Sequence, residues 1–264
     1  MTILNESAMG YRSFTHRQIT YTFTYKAIQR ELLENVTVRR LYKYIQLVRE
    51  GKFPNQLFDN PLVPRASVMK IRGLGKAQKS YLQQVLFDQK IVERIPPEKA
   101  DIPRLVQDVF QNFKAEALDK LPDHGPVLKS ILIRHPASVA IELPVWRVAE
   151  LKSNCLTGHV DLVQVEKKSD SPRIEIKILD YKPEGENKFI FSIPQIALYA
   201  RMLKEKLLPE KITIEKSIPE PECDINCYIF DKKAMWKFKP SILQFLDERL
   251  AQYQIPRNWK PFMA

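Results

Sequence analysis

The chain has 264 residues, 44% of them hydrophobic, which is enough for one well-packed core and a smaller satellite unit. It carries 42 Lys and Arg residues against 31 Asp and Glu residues, for a formal net charge of +11 at pH 7. No stretch of roughly eighteen consecutive apolar residues occurs, and the N-terminal residues lack the pattern of a signal peptide. Together with an odd number of cysteines, this predicts a cytoplasmic protein with a polyanionic partner and no membrane span.

Helical spacing of apolar residues predicts a mostly helical first part, with helices over 24–50 and 76–89 and another over 102–121. Nine of the eleven excess positive charges fall within residues 1–100. We place a domain boundary near residue 100, after the Pro96-Pro97 break. Helix 102–121 could either close the first unit or begin the second. The prediction is a basic helical region that binds nucleic acid (1–100), followed by a second domain (101–264).

The most basic stretch is 61–80, which contains five Lys or Arg residues and no acid. Its glycine turn, Ile71–Gly75, is similar to the hairpin of a helix-hairpin-helix motif, where backbone N–H groups approach a DNA phosphate. The candidate nucleic-acid-binding residues are Lys70, Arg72, Gly73, Gly75, Lys76 and Lys79. Two alternatives stay open: a simple glycine break between surface helices, and a winged helix if Lys90–Ile95 is a strand.

A β-hairpin is predicted farther along the chain. Residues 159–166 and 174–182 alternate as half-buried strands, and the polar, proline-containing stretch 167–173 reads as their turn. Side chains of a strand alternate between faces, so Asp180 and Lys182 share a face that Tyr181 does not. Pairing the start of one strand with the end of the other brings Asp161 close to Asp180.

This carboxylate pair has the chemistry of a magnesium site. Mg²⁺ takes hard oxygen ligands, usually one or two carboxylates completed by water and substrate phosphate oxygens. Asp161 and Asp180 fit that role, and the backbone carbonyl of Tyr181 is a further candidate ligand. A lysine two residues after Asp180 indicates catalysis rather than a simple cation site, because its ammonium can offset charge that develops on a phosphate.

A helix over residues 193–204 is predicted next, with Pro194 in its first turn, where a missing N–H costs nothing. Gln195 and Tyr199 lie four residues apart and share a face of this helix. Aimed together at the carboxylates, they could hydrogen-bond phosphate oxygens.

The combination of Gly158-x-x-Asp161, Asp180-x-Lys182 and Gln195-x-x-x-Tyr199-Ala resembles the PD-(D/E)XK nuclease superfamily, in its RecB-like branch. The resemblance implies metal ligands at Asp161 and Asp180, a catalytic lysine at Lys182, and an accessory motif at Gln195 and Tyr199. It also implies a restriction-endonuclease-like α/β core, a central mixed sheet flanked by helices, that uses Mg²⁺ or Mn²⁺. Residues 227–240 fit the two closing strands of such a core, and 240–254 predicts a final amphipathic helix.

The chain departs from that family pattern in two respects. Many relatives supply an upstream histidine or glutamate to the metal; of His124, His135 and Glu142 we prefer Glu142, which lies in a strand-like stretch. The CRISPR-associated relatives bind an iron–sulfur cluster through four cysteines, whereas this chain has three, so no cluster is expected. His159 is predicted to be structural rather than catalytic.

The functional expectation is a Mg²⁺-dependent deoxyribonuclease, an exonuclease or flap-trimming enzyme of DNA repair or recombination, for which RNA is a less favoured substrate. A site-specific endonuclease is the alternative among enzymes. Outside enzymes, the alternatives are a DNA-binding scaffold that has lost activity and an interaction adaptor whose charge only confers solubility. The adaptor predicts weak DNA binding with little dependence on salt.

Overall fold

The computed structural model describes residues 9–116, 122–168, 173–208 and 223–263. These residues form an α/β fold on one mixed sheet of eight strands, in the order β1-β2-β4-β5-β6-β7-β8-β3. Neighbouring strands are antiparallel except for β6 and β7, which are parallel. The strands are β1 (Met9–His16), β2 (Ile19–Lys26), β3 (Val92–Ile95), β4 (Ser138–Arg147), β5 (Leu156–Lys167), β6 (Ile174–Tyr181), β7 (Cys223–Phe230) and β8 (Met235–Phe238).

Helices cover both faces of the sheet, which confirms the predicted central mixed sheet flanked by helices. They are α1 (Val36–Arg49), α2 (Asn55–Asp59), α3 (Lys76–Asp88), α4 (Asp101–Ala115), α5 (His124–Arg134), α6 (Gly185–Leu207) and α7 (Ile242–Ala251). The larger core lies between the sheet and helices α1, α3, α6 and α7, and a smaller core lies between the other face and helices α4 and α5. Within the described ranges, no helix combines the length and the apolar character needed to cross a bilayer.

The predicted hairpin is confirmed as β5 and β6. Their register pairs Leu162 with Leu179 and runs to Lys167 opposite Ile174. The two closing strands are β7 and β8, and the final helix is α7. Strand β7 follows α6 and lies parallel to β6, so a helical crossover joins these two central strands.

The helix predicted over 24–50 is wrong in its first part. Strand β2 continues through Lys26, and α1 begins only at Val36, where the Asn35 side chain accepts hydrogen bonds from the N–H groups of Thr37 and Val38. The β1–β2 hairpin was missed, although Ile19–Lys26 alternates threonine with large apolar or aromatic residues as strands do. Its strands and β3 share the sheet with β4 to β8, so the sheet spans both sides of residue 100.

The predicted start of the helix that carries Gln195 and Tyr199 is also wrong. Helix α6 begins at Gly185, which places Pro194 in the helix interior rather than in the first turn. A proline there removes an N–H and crowds the preceding carbonyls. Three residues before this proline, the Phe191 carbonyl accepts a hydrogen bond from the Ile71 N–H at 3.0 Å. The basic segment, residues 61–80, therefore contacts α6 close to its interior proline.

Two of the three interpretations of the basic segment, the helix-hairpin-helix and the winged helix, do not fit the structure. Among the described residues, no α-helix directly precedes the Gly73 turn: α2 ends at Asp59 and only a 3-10 turn, Ala66–Val68, follows. The first helix of a helix-hairpin-helix is thus not formed. Residues 92–95 do form a strand, but it pairs with β8 in the central sheet, which does not fit the wing of a winged helix.

Candidate active site

Three acidic residues lie side by side across three neighbouring strands. In the β4–β5 register Ile141 faces Leu162 and Leu143 faces Val160, so Glu142 lies opposite Asp161. One step beyond the Leu162–Leu179 pair, the β5–β6 register sets Asp161 opposite Asp180. We call Glu142, Asp161 and Asp180 the acid row. The two aspartates lie close together, as the hairpin pattern of the sequence predicts. Glu142, the preferred upstream acid, lies in the same row.

The backbone is irregular at this row. Glu142 has a φ of 53°, in the left-handed region that non-glycine residues rarely adopt, especially within a strand. Leu143 packs in the larger core and Ile141 in the smaller one, although regular alternation would put both on one face. The same break occurs on β5 between Val160 and Leu162. The two irregularities coincide at Glu142 and Asp161, as is common at functional sites.

Asp180 is the most enclosed acid of the row, with 1% of its surface exposed. One carboxylate oxygen accepts a hydrogen bond from Gln195 Nε2 at 3.2 Å, and the other forms an ion pair with Lys182 Nζ. Asp161 Oδ2 accepts a hydrogen bond from the Tyr181 backbone N–H at 3.0 Å. The two aspartates are therefore held by different donors, and Lys182 supplies the cation beside them.

Burial and mutual repulsion disfavour ionisation of Glu142 and Asp161. Burial raises the pKa of Glu142, and the Asp180 charge raises it further, to about 7. Burial likewise raises the pKa of Asp161 well above its usual range, again with a contribution from Asp180. Burial alone would lower the pKa of Lys182, but Asp180 and Asp161 outweigh it and leave that pKa raised. One ammonium thus faces three carboxyl groups, and a further cation would relieve their repulsion.

Helix α6 delivers the accessory pair. Gln195 and Tyr199 are both almost fully buried, and Gln195 Nε2 donates to Tyr199 Oη at 3.1 Å as well as to Asp180. Gln195 Oε1 has no hydrogen-bond partner among the described residues. Gly158 lets Tyr199 approach β5, since a Cβ at that position would lie 2.3 Å from Tyr199 Cε1. The amide is therefore fixed with one free acceptor beside the acid row.

A cavity of about 150 Å³ opens beside the row and contains several residues that the sequence did not suggest. Its lining is Tyr21, Arg65, Ser67, Glu142, Gly158, His159, Asp161, Gln195 and Tyr199. Tyr21, Arg65 and Ser67 come from the first part of the chain, which carries no recognisable catalytic motif. Only correct pairing of β2 and of the loop near residue 65 could have placed them here.

His159 is part of this cavity wall. Its ring stacks on Tyr21 at a centroid distance of 3.8 Å, and its Nε2 lies 3.2 Å from His16 Nδ1. Burial lowers the pKa of His159 well below its ordinary value, and His16 and Arg65 lower it further. The histidine pair is therefore uncharged near neutral pH.

The two upstream histidines differ in their position relative to the acid row. Burial lowers the pKa of His124 and Lys182 lowers it further, while Asp180 and a hydrogen bond with the Tyr181 backbone raise it, so this histidine lies near the row. The His124 ring packs edge-on against the Tyr181 ring at 5.1 Å, on the side of the sheet that carries α5. The charges that act on His135 are mainly those of Glu166 and Lys177, away from the acid row. Neither histidine lines the cavity.

The basic segment is brought next to the acid row. Burial lowers the pKa of Lys70, and the nearby Lys182 lowers it further while Asp180 raises it. Lys79 Nζ donates to the Asn187 carbonyl of α6 at 2.9 Å.

The remaining candidates of the segment lie in and just after the turn. Arg72 and Lys76 are exposed. Gly73 adopts a φ of 83°, and Gly75 caps α3 with its N–H bonded to Gln78 Oε1 at 2.9 Å. The glycine that the turn requires is therefore Gly73.

The acid row suits a metal ion that needs few protein ligands. Within the described ranges, no three His, Cys, Asp or Glu side chains are already arranged to hold one ion. Mg²⁺ does not need such a cage, because it usually binds one or two carboxylates and keeps water and phosphate oxygens as its other ligands. An all-oxygen set of Asp161, Asp180 and the Tyr181 carbonyl, with Glu142 beside it, fits that preference.

No protein-family model, curated protein or solved structure matched the chain.

Proposed function

We propose that this protein is a Mg²⁺- or Mn²⁺-dependent nuclease that hydrolyses phosphodiester bonds of DNA, built on a restriction-endonuclease-like core of the PD-(D/E)XK, RecB-like kind. The observation that carries the proposal is the acid row with Lys182: carboxyl groups opposed across neighbouring strands, where like charges are destabilising, with one ammonium beside them. A purely structural sheet gains nothing from such an arrangement. A site for a cation and a phosphate does.

The order of strands is consistent with this core. Strands β4, β5 and β6 form an antiparallel set, and α6 then crosses to β7, which is parallel to β6. The metal-ligand candidates lie on β4, β5 and β6, and the accessory residues lie on α6. Each sequence motif thus belongs to a different, directly packed element.

Asp161, Asp180 and the Tyr181 carbonyl would hold the metal, with Glu142 as a further ligand. When bound there, a divalent cation polarises a phosphoryl oxygen and lowers the pKa of coordinated water. Lys182, held by its ion pair with Asp180, offsets negative charge that develops on the phosphate.

The free Oε1 of Gln195 can accept a hydrogen bond from water or a nucleotide hydroxyl. Its Nε2 is already committed to Asp180 and Tyr199, so the amide cannot rotate without breaking both bonds. Tyr199 therefore acts by fixing Gln195.

The expected substrate is DNA because the net charge of +11 and the basic segment beside the row suit a polyanion, and the resemblance to RecB-like enzymes favours DNA over RNA. An exonuclease or flap-trimming activity is proposed first, and a site-specific endonuclease second. Contacts to phosphates give affinity without reading sequence.

The test compares cleavage of end-labelled linear DNA and of covalently closed circles in Mg²⁺, Mn²⁺ and EDTA. We expect metal-dependent cleavage that falls about a hundredfold or more in Lys182→Ala. Lys188→Ala is the matched control, since Lys188 is an exposed lysine of α6 paired with Glu184. Survival of the circles would identify an enzyme that needs ends.

A wild-type protein that binds DNA tightly and cuts neither substrate in either metal would instead be a scaffold, and the catalytic assignment would be wrong.

A further inference from the structure

One arginine in the cavity has no acidic partner. Arg65 Nη1 donates to Tyr21 Oη at 3.1 Å, and Nη2 donates to the His16 carbonyl at 3.0 Å. Both acceptors are neutral. No Asp or Glu of the described residues forms an ion pair with Arg65, so its positive charge is not compensated by an acid.

The segment that carries Arg65 is fixed on both sides. The Thr157 N–H donates to the Pro64 carbonyl at 3.2 Å, which ties the segment to the start of β5. On the other side, the Arg17 guanidinium donates to the carbonyls of Asn60 and Val63 from the β1–β2 turn. These bonds hold the Arg65 backbone before any ligand binds.

The groups that hold the guanidinium are themselves packed in a chain of rings. Tyr21 stacks on His159, and the His159 ring bonds to His16, whose Nε2 lies 3.2 Å from Asn55 Oδ1. The His16 ring also stacks on Phe58 at 4.6 Å. A rotamer change at Arg65 would therefore disrupt bonds to a rigid wall, so the cation is pre-organised toward the cavity.

The cavity combines this cation with the acid row. Arg65 and Ser67 line it together with Glu142 and Asp161, in a space of about 150 Å³. Pockets for drug-sized ligands measure roughly 300–1,000 Å³, so this one suits a small group rather than a base with its sugar. A small anion that contacts a metal on one side and a guanidinium on the other matches a phosphate, which arginine binds in a planar, forked geometry.

We propose that Arg65 binds a phosphate group of the nucleic acid in this cavity, with Ser67 as a second donor. The inference rests on the proposed nuclease function and adds a substrate-binding residue outside the family's motifs. The phosphate has two possible sources: the terminal monoester of a strand end, or an internal diester next to the bond that is cut.

The variants are Arg65→Gln and Arg65→Lys, with Arg104→Gln as the matched control, because Arg104 is an exposed arginine of α4 on the other face of the sheet. Binding of short duplexes is measured in EDTA, and cleavage kinetics in Mg²⁺. We expect Arg65→Gln to weaken binding and raise KM about tenfold or more, with a smaller change in kcat. Arg65→Lys retains the positive charge but not the forked guanidinium, so its binding and KM should be intermediate. The Arg104→Gln control should match the wild type.

Substrates with different ends show which phosphate Arg65 binds. Duplexes with 5′-phosphate, 3′-phosphate or hydroxyl ends are compared. A loss confined to one kind of phosphorylated end identifies the terminal monoester, whereas an equal loss on all ends and on closed circles identifies an internal diester. Both results support the proposal. Wild-type binding and kinetics in both Arg65 variants overturn it.

A measurement on the wild type covers the case in which the variants do not fold. Phenylglyoxal modifies accessible guanidiniums, and mass spectrometry follows Arg65 with and without a 5′- or 3′-phosphorylated duplex. Protection of Arg65 supports the proposal, and equal modification contradicts it. Because binding and protection need no cleavage, they separate a failure of this inference from a failure of the nuclease proposal, which appears as an inactive wild type.

Discussion

The acid row sets the local electrostatics at the scale of single residues. Three carboxyl groups lie opposite one another across β4, β5 and β6, and within the described part of the chain their one ion pair joins Asp180 to Lys182. Without a divalent cation, ionising Glu142 or Asp161 costs free energy because both are desolvated and close to Asp180. The stability of the metal-free protein should therefore depend on pH.

Glu142→Gln should reduce that dependence. The pKa of Glu142 is about 7 in the fold against 4.5 for the ordinary side chain, so between these values the folded state holds a proton that the unfolded state releases. Raising the pH through this window therefore destabilises the wild type, by at most about 3 kcal/mol from this residue. Thermal unfolding in EDTA from pH 4.5 to 8 should show a smaller loss in Glu142→Gln.

Glu248→Gln, at an exposed position on α7, is the control and should follow the wild type. Addition of Mg²⁺ should also reduce the loss, since the cation favours the ionised row. Indistinguishable pH profiles for wild type and Glu142→Gln would refute the electrostatic description of the row.

Gly158→Ala should displace Tyr199. The added Cβ would lie 2.3 Å from Tyr199 Cε1, a separation that buried atoms do not tolerate, and moving the ring breaks its bond with Gln195. We expect a loss of about 1–3 kcal/mol in stability, and cleavage reduced more than stability explains. Chemical denaturation and cleavage at a temperature where the variant is folded check this.

Gly125→Ala is the paired control because a Cβ there meets no atom within 4 Å. If Gly158→Ala were as stable and active as Gly125→Ala, the close contact between β5 and α6 would be wrong.

The sequence predicts part of this site for clear physical reasons. The closeness of Asp161 and Asp180 can be predicted because the hairpin is local, and its alternation fixes both the register and the face on which each side chain lies. The positions of Arg65 and Tyr21 cannot be predicted in this way, because they depend on how β2 and a loop pack against a strand more than ninety residues later. Simple alternation along β5 also fails to place His159 in the cavity wall, because the strand is irregular at Asp161.

Among the elements, α6 binds the basic segment through carbonyl groups that precede its interior proline, Pro194. The Phe191 carbonyl of that helix receives the Ile71 N–H, and Lys79 binds the Asn187 carbonyl, so the segment lies along the first half of α6. The sequence placed Pro194 in a first turn because proline is favoured there. The sequence could not reveal that the helix starts nine residues before Pro194, since Gly185–Ser192 lacks a strong start signal.

Neutralising this segment should lower the salt dependence of DNA binding. In Lys70→Gln/Lys79→Gln, the slope of log K against log salt should fall by about two, roughly one for each lost phosphate contact. Fluorescence anisotropy in EDTA across a NaCl series measures it. The double variant Arg104→Gln/Lys114→Gln removes the same charge from exposed positions on α4 and should leave the slope nearly unchanged. Equal slopes in the two double variants would argue against this segment as a phosphate contact.

At the scale of the whole molecule, one sheet unites a basic first part with the acid row. The closing strands, the central hairpin and the helices α3, α4 and α7 follow from local periodicity, and the sequence predicts them. The starts of α1 and α6 are predicted wrongly, and α2 and α5 are not predicted. The β1–β2 hairpin and β3 were harder to predict because they join the sheet through pairings distant in sequence, with β4 and β8. That assembly lets residues from the first part line the cavity beside the acids.

Direct titration tests whether the acid row binds the divalent cation that phosphodiester hydrolysis would need. Electron paramagnetic resonance measures free Mn²⁺ with wild type, Asp161→Asn and the control Asp88→Asn, an exposed residue at the end of α3. We predict binding by wild type and Asp88→Asn, with affinity at least about tenfold weaker in Asp161→Asn and competition by Mg²⁺. Equal Mn²⁺ binding by all three proteins, or none by the wild type, would contradict the account.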